Sequence, residues 1–302
     1  MFKSLSRDDK YGHYAYLFLA PFFIVLAVFV MYPIIYTLGI SVTEWDGVNT
    51  MRFNGLDNFK RLIGDEYFIQ SITNTWIIWA LNVIPQMIIG LFLAVILTER
   101  KLKGKEFLRA VYYLPNLVTM TSVATLFYLM LDKNSGTLNR ILIGFNLMDP
   151  QNTYDWFQDI TAMRLTVAFI LFWMWFGYSM IIFMAGIKSI PEDLYEAAHV
   201  DGASRWNVFW KITLPLLKPI MLYQVITSLI GGLSMFDIPY VLSGGEGAPQ
   251  YSLLTMVMYI YNKTFRHYQY GYGAAVAVGL FIHILIFVSI AYKMMNLKSD
   301  KK

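Results

Sequence analysis

A chain of 302 residues with no cysteine, 57% hydrophobic and 15% charged residues and a formal charge of +4 has too little polar surface for an ordinary water-soluble domain. The missing thiols exclude cysteine nucleophiles, disulfides and thiolate metal sites. The mild positive charge, with no concentrated basic patch, gives no ground for nucleic-acid binding.

In chain order, the start MFKSLSRDDKYGHYAYLFLAPFF sets basic residues before an apolar stretch too long for a signal-peptide core, without a clear cleavage pattern, and reads as a retained first helix. Apolar runs of roughly 20 residues or more, the length that crosses a bilayer, recur near residues 14–38, 72–97, 107–131, 165–186, 220–242 and 274–295. They are continuously apolar, without the alternation of lipid-facing strands, so helices are expected and a barrel is not. The prediction is an all-α polytopic membrane protein with six transmembrane helices and a single domain, 1–302.

Between the first two runs, GVNTMRFNGLDNFKRLIGDEYF predicts a turn-rich stretch and a short amphipathic helix with Leu56, Phe59 and Leu62 at helical spacing. The loops at 39–71, 132–164 and 243–273, rich in turn formers and aromatics, suit small external caps. Asn82, Pro85 and Gln86 in the second run, and Pro115 with Asn116 in the third, are expected to make kinks and interhelical bonds. His283, in the sixth, is expected to bond a neighbouring helix, because no chain of acidic residues accompanies it. Residues 1–13, 98–109, 187–218 and 293–302 hold 16 of the 24 Lys and Arg. That side is predicted to be cytoplasmic, with both termini on it.

The most informative stretch is the cytoplasmic loop 187–219, IKSIPEDLYEAAHVDGASRWNVFWKITLPLLKP. Ser189 and Glu192 have capping-box spacing, Pro191 suits a first turn, and Glu192 and Asp193 favour the positive end of a helix dipole. Leu194, Ala197 and Ala198 then offer an apolar, mostly small face, and Gly202 permits a sharp exit. A second amphipathic piece, ASRWNVFWKI, leads to Pro215 and Pro219. The grammar is that of a short helix that docks into a groove on another protein. No phosphate-cradling GxxxxGK[ST] loop occurs, since Gly104-Lys105 is followed by Glu106. The four histidines, His13, His199, His267 and His283, lack metal-site spacing.

Glu196-Ala197-Ala198, Gly202 and Ile212-Thr213-Leu214-Pro215 resemble the EAA loop of binding-protein-dependent ABC importer permeases. LFLAPFF, GLDNF and the stretch from FDIPYVLSGGEG to GYGAAVAV are similar to the carbohydrate branch, in particular to the larger membrane subunit of the maltose transporter, without its extra N-terminal spans and large external domain. The resemblance implies a type I importer permease fold in the plasma (inner) membrane of a prokaryote. It also implies a second homologous permease, two ATPase subunits carrying ATP and Mg, an extracytoplasmic sugar-binding protein, and neither catalytic residues nor cofactor on this chain. Glu196, Ala197, Ala198, Asp201 and Gly202 would couple to an ATPase subunit.

Alignment through the same motifs places Trp173, Trp175, Tyr178, Ser228, Gly232 and Met235 where the similar maltose permease contacts its sugar, although several residue types differ. Asp237 lies beside them. Aromatic faces stack on pyranose rings, and the hydroxyls and glycines of TSLIGGLSMFDIPY supply hydrogen bonds and close approach. A non-sugar such as glycerol phosphate is the alternative cargo, to be marked by cations that spans four and five lack. A secondary carrier or intramembrane enzyme would need intramembrane charges or a catalytic set that the sequence does not display.

Overall fold

Long apolar runs must satisfy their backbone polar groups internally once in lipid. The computed structural model, which describes residues 12–98 and 103–296, is accordingly built almost wholly of helices. Helix α1 (Gly12–Leu26) passes through a π turn into α2 (Tyr32–Ser41), and a two-residue hairpin, β1 (Thr43–Glu44) with β2 (Arg52–Phe53), leads to α3 (Asp57–Ile63). Then come α4 (Glu66–Thr98), α5 (Lys105–Tyr113), α6 (Met120–Met130), α7 (Thr137–Gly144) and α8 (Ile160–Lys188). Two short helices, α9 (Glu192–Val200) and α10 (Arg205–Val208), fill the loop before α11 (Leu214–Leu216) and α12 (Lys218–Leu233). Helices α13 (Asp237–Leu242), α14 (Met256–Tyr261) and α15 (Tyr270–Asn296) complete the chain.

Among the described residues, five helical stretches are long and apolar enough to cross a membrane: Tyr16–Ser41, Glu66–Thr98, Ile160–Lys188, Lys218–Leu242 and Tyr270–Met295. A sixth crossing exists if Lys105–Leu117 and Met120–Met130, bent by 86° at their junction, act as one. The continuous third helix expected over 107–131 is therefore broken. Val118 is extended, with φ −85° and ψ 144°, and Thr119 begins a new helix by accepting a hydrogen bond from the Ser122 N–H at 3.4 Å. The first piece is amphipathic, with Glu106 and Arg109 paired on its polar face at 2.6 Å, so it suits an interface better than hydrocarbon.

Residues 12–64 and 263–278 form one compact unit, and 65–98, 103–262 and 279–296 the other. In the first, the buried face of α3 is Asn58 and Leu62, one turn apart; Leu56 precedes the helix and is exposed, so the expected Leu56–Phe59–Leu62 stripe is not the packing face. Asn58 Nδ2 donates to the carbonyls of Ser41 and Thr43 at 3.0 and 2.8 Å, joining α3 to the end of α2. Gly271 N–H donates to the Trp45 carbonyl, and the Arg61 guanidinium lies 4.0 Å above the Tyr272 ring.

The second unit is organised by α4 against α8. Gly90 lets the helices close until an added Cβ would stand 3.0 Å from Ser179 Cβ, and beside it Gln86 Nε2 donates to Ser179 Oγ at 2.8 Å. Toward α9 the core is Ala94, Leu97, Met180, Phe183, Met184, Ile187 and Leu217. At the other end Ile78, Met163, Val167 and Ile170 pack with Met235, Ile238 and Leu253. There Asp159 caps α8, accepting from the Ala162 N–H at 2.7 Å and the Tyr154 hydroxyl at 2.6 Å, and these bonds, the hydroxyl's foremost, hold its carboxyl below the usual carboxylate range. His283 Nε2 accepts from Trp76 Nε1 at 2.8 Å, the interhelical bond expected of it.

Candidate functional site: a polar break in a membrane helix and a docking helix

Two features stand out in the second unit. The first is a cavity of about 350 Å³ where α12 stops short of α13. Gly231 and Gly232 loosen the last turn, Ser234 leaves the helical register, and the Met235 carbonyl, freed from the helix ladder, accepts from Thr255 Oγ1 at 2.9 Å. The loop that leads to Thr255 is held by a network: Arg164 donates to Asn74 Oδ1 at 2.6 Å and to the Ser252 carbonyl, while Asn74 Nδ2 donates to the carbonyls of Tyr251 and Leu254. The loop over 243–255 is thus tied to α4 and α8, and it fixes the break from outside.

Of the residues proposed for a substrate path, Trp175, Tyr178, Ser228, Gly232, Met235 and Asp237 line this cavity. Trp173 does not. Two residues of α-helix turn a side chain by about 200°; both indoles pack against the core cluster that includes Ile78, Val123 and Met163, but Trp175 alone also lines the cavity. Tyr178, one turn after Trp175, shares its face. Three polar residues outside the proposed path also line the cavity: Asn82 and Gln86 from α4, expected to make kinks and interhelical bonds, and Gln224 from α12. The signal was present in their spacing, since 82 and 86 lie one turn apart, as do 224 and 228.

Gly232 has a reason other than ligand approach. A Cβ there would stand 2.0 Å from Trp79 Cδ1, and Trp79 Nε1 donates to the Ser228 carbonyl at 2.9 Å, so the indole occupies the space the glycine leaves. Gly232→Ala is expected to expel the indole, break that bond and destabilise the protein by about 1–3 kcal/mol. Thermal unfolding in detergent checks this, and an unchanged melting temperature would contradict it.

The second feature is the loop from Ile187 to Pro219. The expected capping box does not form: Ser189 belongs to the end of α8, where its hydroxyl donates to the Gly186 carbonyl, and Pro191 occupies the N-cap of α9 without a side-chain bond. Glu192 and Asp193 do fill the first turn, at the positive end of the dipole. The helix ends in a Schellman motif, with Ala203 N–H donating to the Ala198 carbonyl at 2.9 Å and Gly202 N–H to the His199 carbonyl at 3.1 Å. Gly202 has φ +70°, where a side chain is strained, and the space around it is open.

Glu196, Ala197, Asp201 and Gly202 are exposed, and Leu194 (43%) and Val200 (87%) add apolar surface to the same short helix. Ala198 is turned inward and buried at 8%, so the exposed apolar surface is Leu194 with Ala197 and Val200, not the Leu194–Ala197–Ala198 face expected. Trp206 and Trp210, edge to face at 5.5 Å, are also exposed, and the Tyr195 hydroxyl meets Thr213 Oγ1 at 3.2 Å to brace α9 against the entry to α11.

Helices long and apolar enough to cross a membrane, a mostly apolar cavity with a few polar groups at a helix break and an exposed, well-terminated helix on a loop suit the membrane-spanning subunit of a transporter. Residues 75–298 match the family described as binding-protein-dependent transport system inner membrane component, and the chain belongs to that family. It is 33% identical to the lactose transport system permease protein LacF of Rhizobium radiobacter, over 86% of this chain and 87% of that one. It is 34% identical to the trehalose/maltose transport system permease protein MalF of Thermococcus litoralis, over 85% of each. Among solved structures, a chain of a bacterial alginate ABC transporter, in complex with an alginate pentasaccharide-bound periplasmic protein, superposes with a TM-score of 0.82 at 25% identity and 99% coverage of both chains. The chain is therefore an inner-membrane permease of an ABC importer, a transport component and not an enzyme, with ATP hydrolysis on separate subunits.

Proposed function

We propose that this permease passes a sugar or oligosaccharide into the cytoplasm through the cavity at the α12–α13 break. The observation that carries the reading is the convergence there of two aromatic faces, Trp175 and Tyr178, with a ring of side chains able to hydrogen-bond. This is the pairing by which carbohydrate is commonly held: rings stack on the C–H faces of the pyranose and polar groups meet its hydroxyls. Relatives named for lactose, trehalose and maltose, and arabinooligosaccharides support the same substrate class.

In this reading Ser228, Met235 and Asp237 line the path, Gly232 shapes it through Trp79, and Trp173 supports it from the core side. A second homologous permease completes the passage, two ATPase subunits bind ATP and Mg below, and an extracytoplasmic sugar-binding protein delivers cargo above. Helix α9, with Glu196, Ala197, Asp201 and Gly202 outward and Ala198 as its anchor, seats in a cleft of one ATPase subunit. Closure of the ATPase pair then rocks the permease helices between outward- and inward-facing states. The excess of Lys and Arg on the loop 187–218 and the other segments of that side supports a cytoplasmic position for both termini; much of the terminal sequence lies outside the described residues.

Trp175→Ala removes a stacking face and is expected to raise the sugar concentration for half-maximal uptake about tenfold, equivalent to roughly 1.4 kcal/mol, with ATPase assembly intact. Uptake kinetics in cells carrying the variant check this. An unchanged concentration dependence would remove Trp175 from the path.

A further inference from the structure

Resting on the cytoplasmic placement of α9, we infer that the groove behind that helix holds the headgroup of an anionic phospholipid, with Lys105 and Lys188 on its phosphate. The groove, of about 840 Å³, lies between the ends of α4 and α8, the start of α5, and helices α9 and α10. Lys105, Lys188, Arg205 and His199 line it, against the single carboxylate of Glu192 among the described lining residues. Arg205 and Glu192 are already engaged within the chain, so the phosphate is assigned to the two lysines. Val95, Ile187, Ile190, Val208 and Phe209 give the groove an apolar wall. An excess of cations beside apolar surface matches an anionic amphiphile better than a free anion, whose lost hydration the apolar wall does not replace.

Three observations favour lipid as the occupant. Helices α4 and α8, 33 and 29 residues long, run about 50 and 44 Å. Both exceed the roughly 30 Å of a hydrocarbon core, so the ends that line the groove stand at headgroup level. Phe209, in the groove wall, meets Trp210 edge to face at 5.3 Å, and Trp210 meets Trp206 at 5.5 Å. Both indoles are exposed, and the segment runs through α11 directly into α12, where exposed tryptophans at the foot of a span suit the membrane interface. Finally, Glu192, Tyr195 and His199 come from one side of α9, at i, i+3 and i+7, which leaves Ala197 and Asp201, proposed to meet the ATPase, on the other. The groove is thus a different surface from the docking face, and a headgroup in it braces α9 from behind.

The test uses the purified complex of this chain with its permease and ATPase partners, in nanodiscs of phosphatidylcholine mixed with phosphatidylglycerol. Native mass spectrometry of the released complex is expected to find phosphatidylglycerol retained in preference to phosphatidylcholine. Lys105→Gln combined with Lys188→Gln should lower that retention about tenfold at an unchanged melting temperature. Lys133→Gln, which removes an exposed cation that does not line the groove, should retain lipid like wild type. Equal retention by the double variant and wild type would overturn the inference. Displacement of the lipid by inorganic phosphate at equal concentration would also overturn it, since the groove would then be a site for free anions. The side of the loop is read separately: in this cysteine-free chain Asn207→Cys, exposed on α10, should react with an impermeant maleimide in inside-out vesicles and not in right-side-out ones. Reaction in right-side-out vesicles would overturn the cytoplasmic placement and the inference with it, whereas lost lipid selectivity with the expected labelling would overturn the inference alone.

Discussion

Glu196→Lys should cut uptake by on the order of 100-fold while the chain stays folded in the membrane. Its carboxylate is exposed on α9, and the described bonds that end and brace the helix come from other residues. The helix is terminated by backbone bonds at Ala203 and Gly202 and braced by Tyr195. Reversing the charge therefore leaves α9 standing. If that face seats in an ATPase cleft, an inverted charge at the contact costs several kcal/mol, which is a hundredfold or more in occupancy. Gly202→Val should have a related effect through another route. Its φ of +70° is costly for a β-branched residue, so the motif that ends α9 and sets the exit of the chain is distorted at a position with open space around it. Membrane abundance, co-purification of the ATPase and uptake, measured side by side, separate the outcomes. Normal uptake with both variants would remove α9 from the coupling role.

Gly177→Ala is expected to be strongly damaging, because the added methyl meets backbone between two packed helices. A Cβ at Gly177 would stand 2.0 Å from the Tyr112 carbonyl oxygen and 3.0 Å from Tyr113 Cα, so the obstruction is backbone on the partner helix and no rotamer relieves it. Helices α5 and α8 would have to separate, opening the core in which Tyr112 packs with Met180 and Phe183. A loss of about 3 kcal/mol, the upper end of ordinary overpacking, is expected. That corresponds to a melting temperature lower by roughly 5–10 °C for a chain of this size. Gly144→Ala, at the end of α7 with nothing within 4 Å of the added carbon, is the control and should melt like wild type. Equal melting of the two variants would contradict the close approach of α5 to α8.

Five of the six expected crossings were legible because lipid imposes a coarse rule, about 20 apolar residues per crossing, while the third expected run is a bent pair. What the rule does not contain is a break inside a run. Pro115 suggested a kink, but the 86° turn depends on Val118 adopting an extended conformation and Thr119 capping a new helix. The Lys105, Glu106 and Arg109 charges were the available warning that α5 is amphipathic. At the docking loop, Ser189 and Glu192 had the spacing of a capping box, and spacing alone does not reveal that α8 continues to Lys188 and uses Ser189 for its own end. Gly202, by contrast, was readable, since a helix exit at positive φ has few other occupants.

The cavity was legible in part for the same reason. Trp175 and Tyr178 share a face at i and i+3, and Ser228 and Gly232 share another at i and i+4, so a reading by helical spacing keeps them together and sets Trp173 apart. Asn82 and Gln224 were hidden by a general truth, that polar residues in membrane helices usually bond a neighbouring helix. Gln86 does so, through Ser179. Only coordinates show that all three also line the cavity.

Reconstitution tests the central claim most directly. Proteoliposomes are prepared with this chain, its permease and ATPase partners and the binding protein, loaded to follow labelled neutral oligosaccharide. The account predicts that transport requires ATP, stops with vanadate, survives a protonophore and disappears when the ATPase is omitted. Transport by this chain alone, driven by a proton gradient and indifferent to ATP, would contradict it.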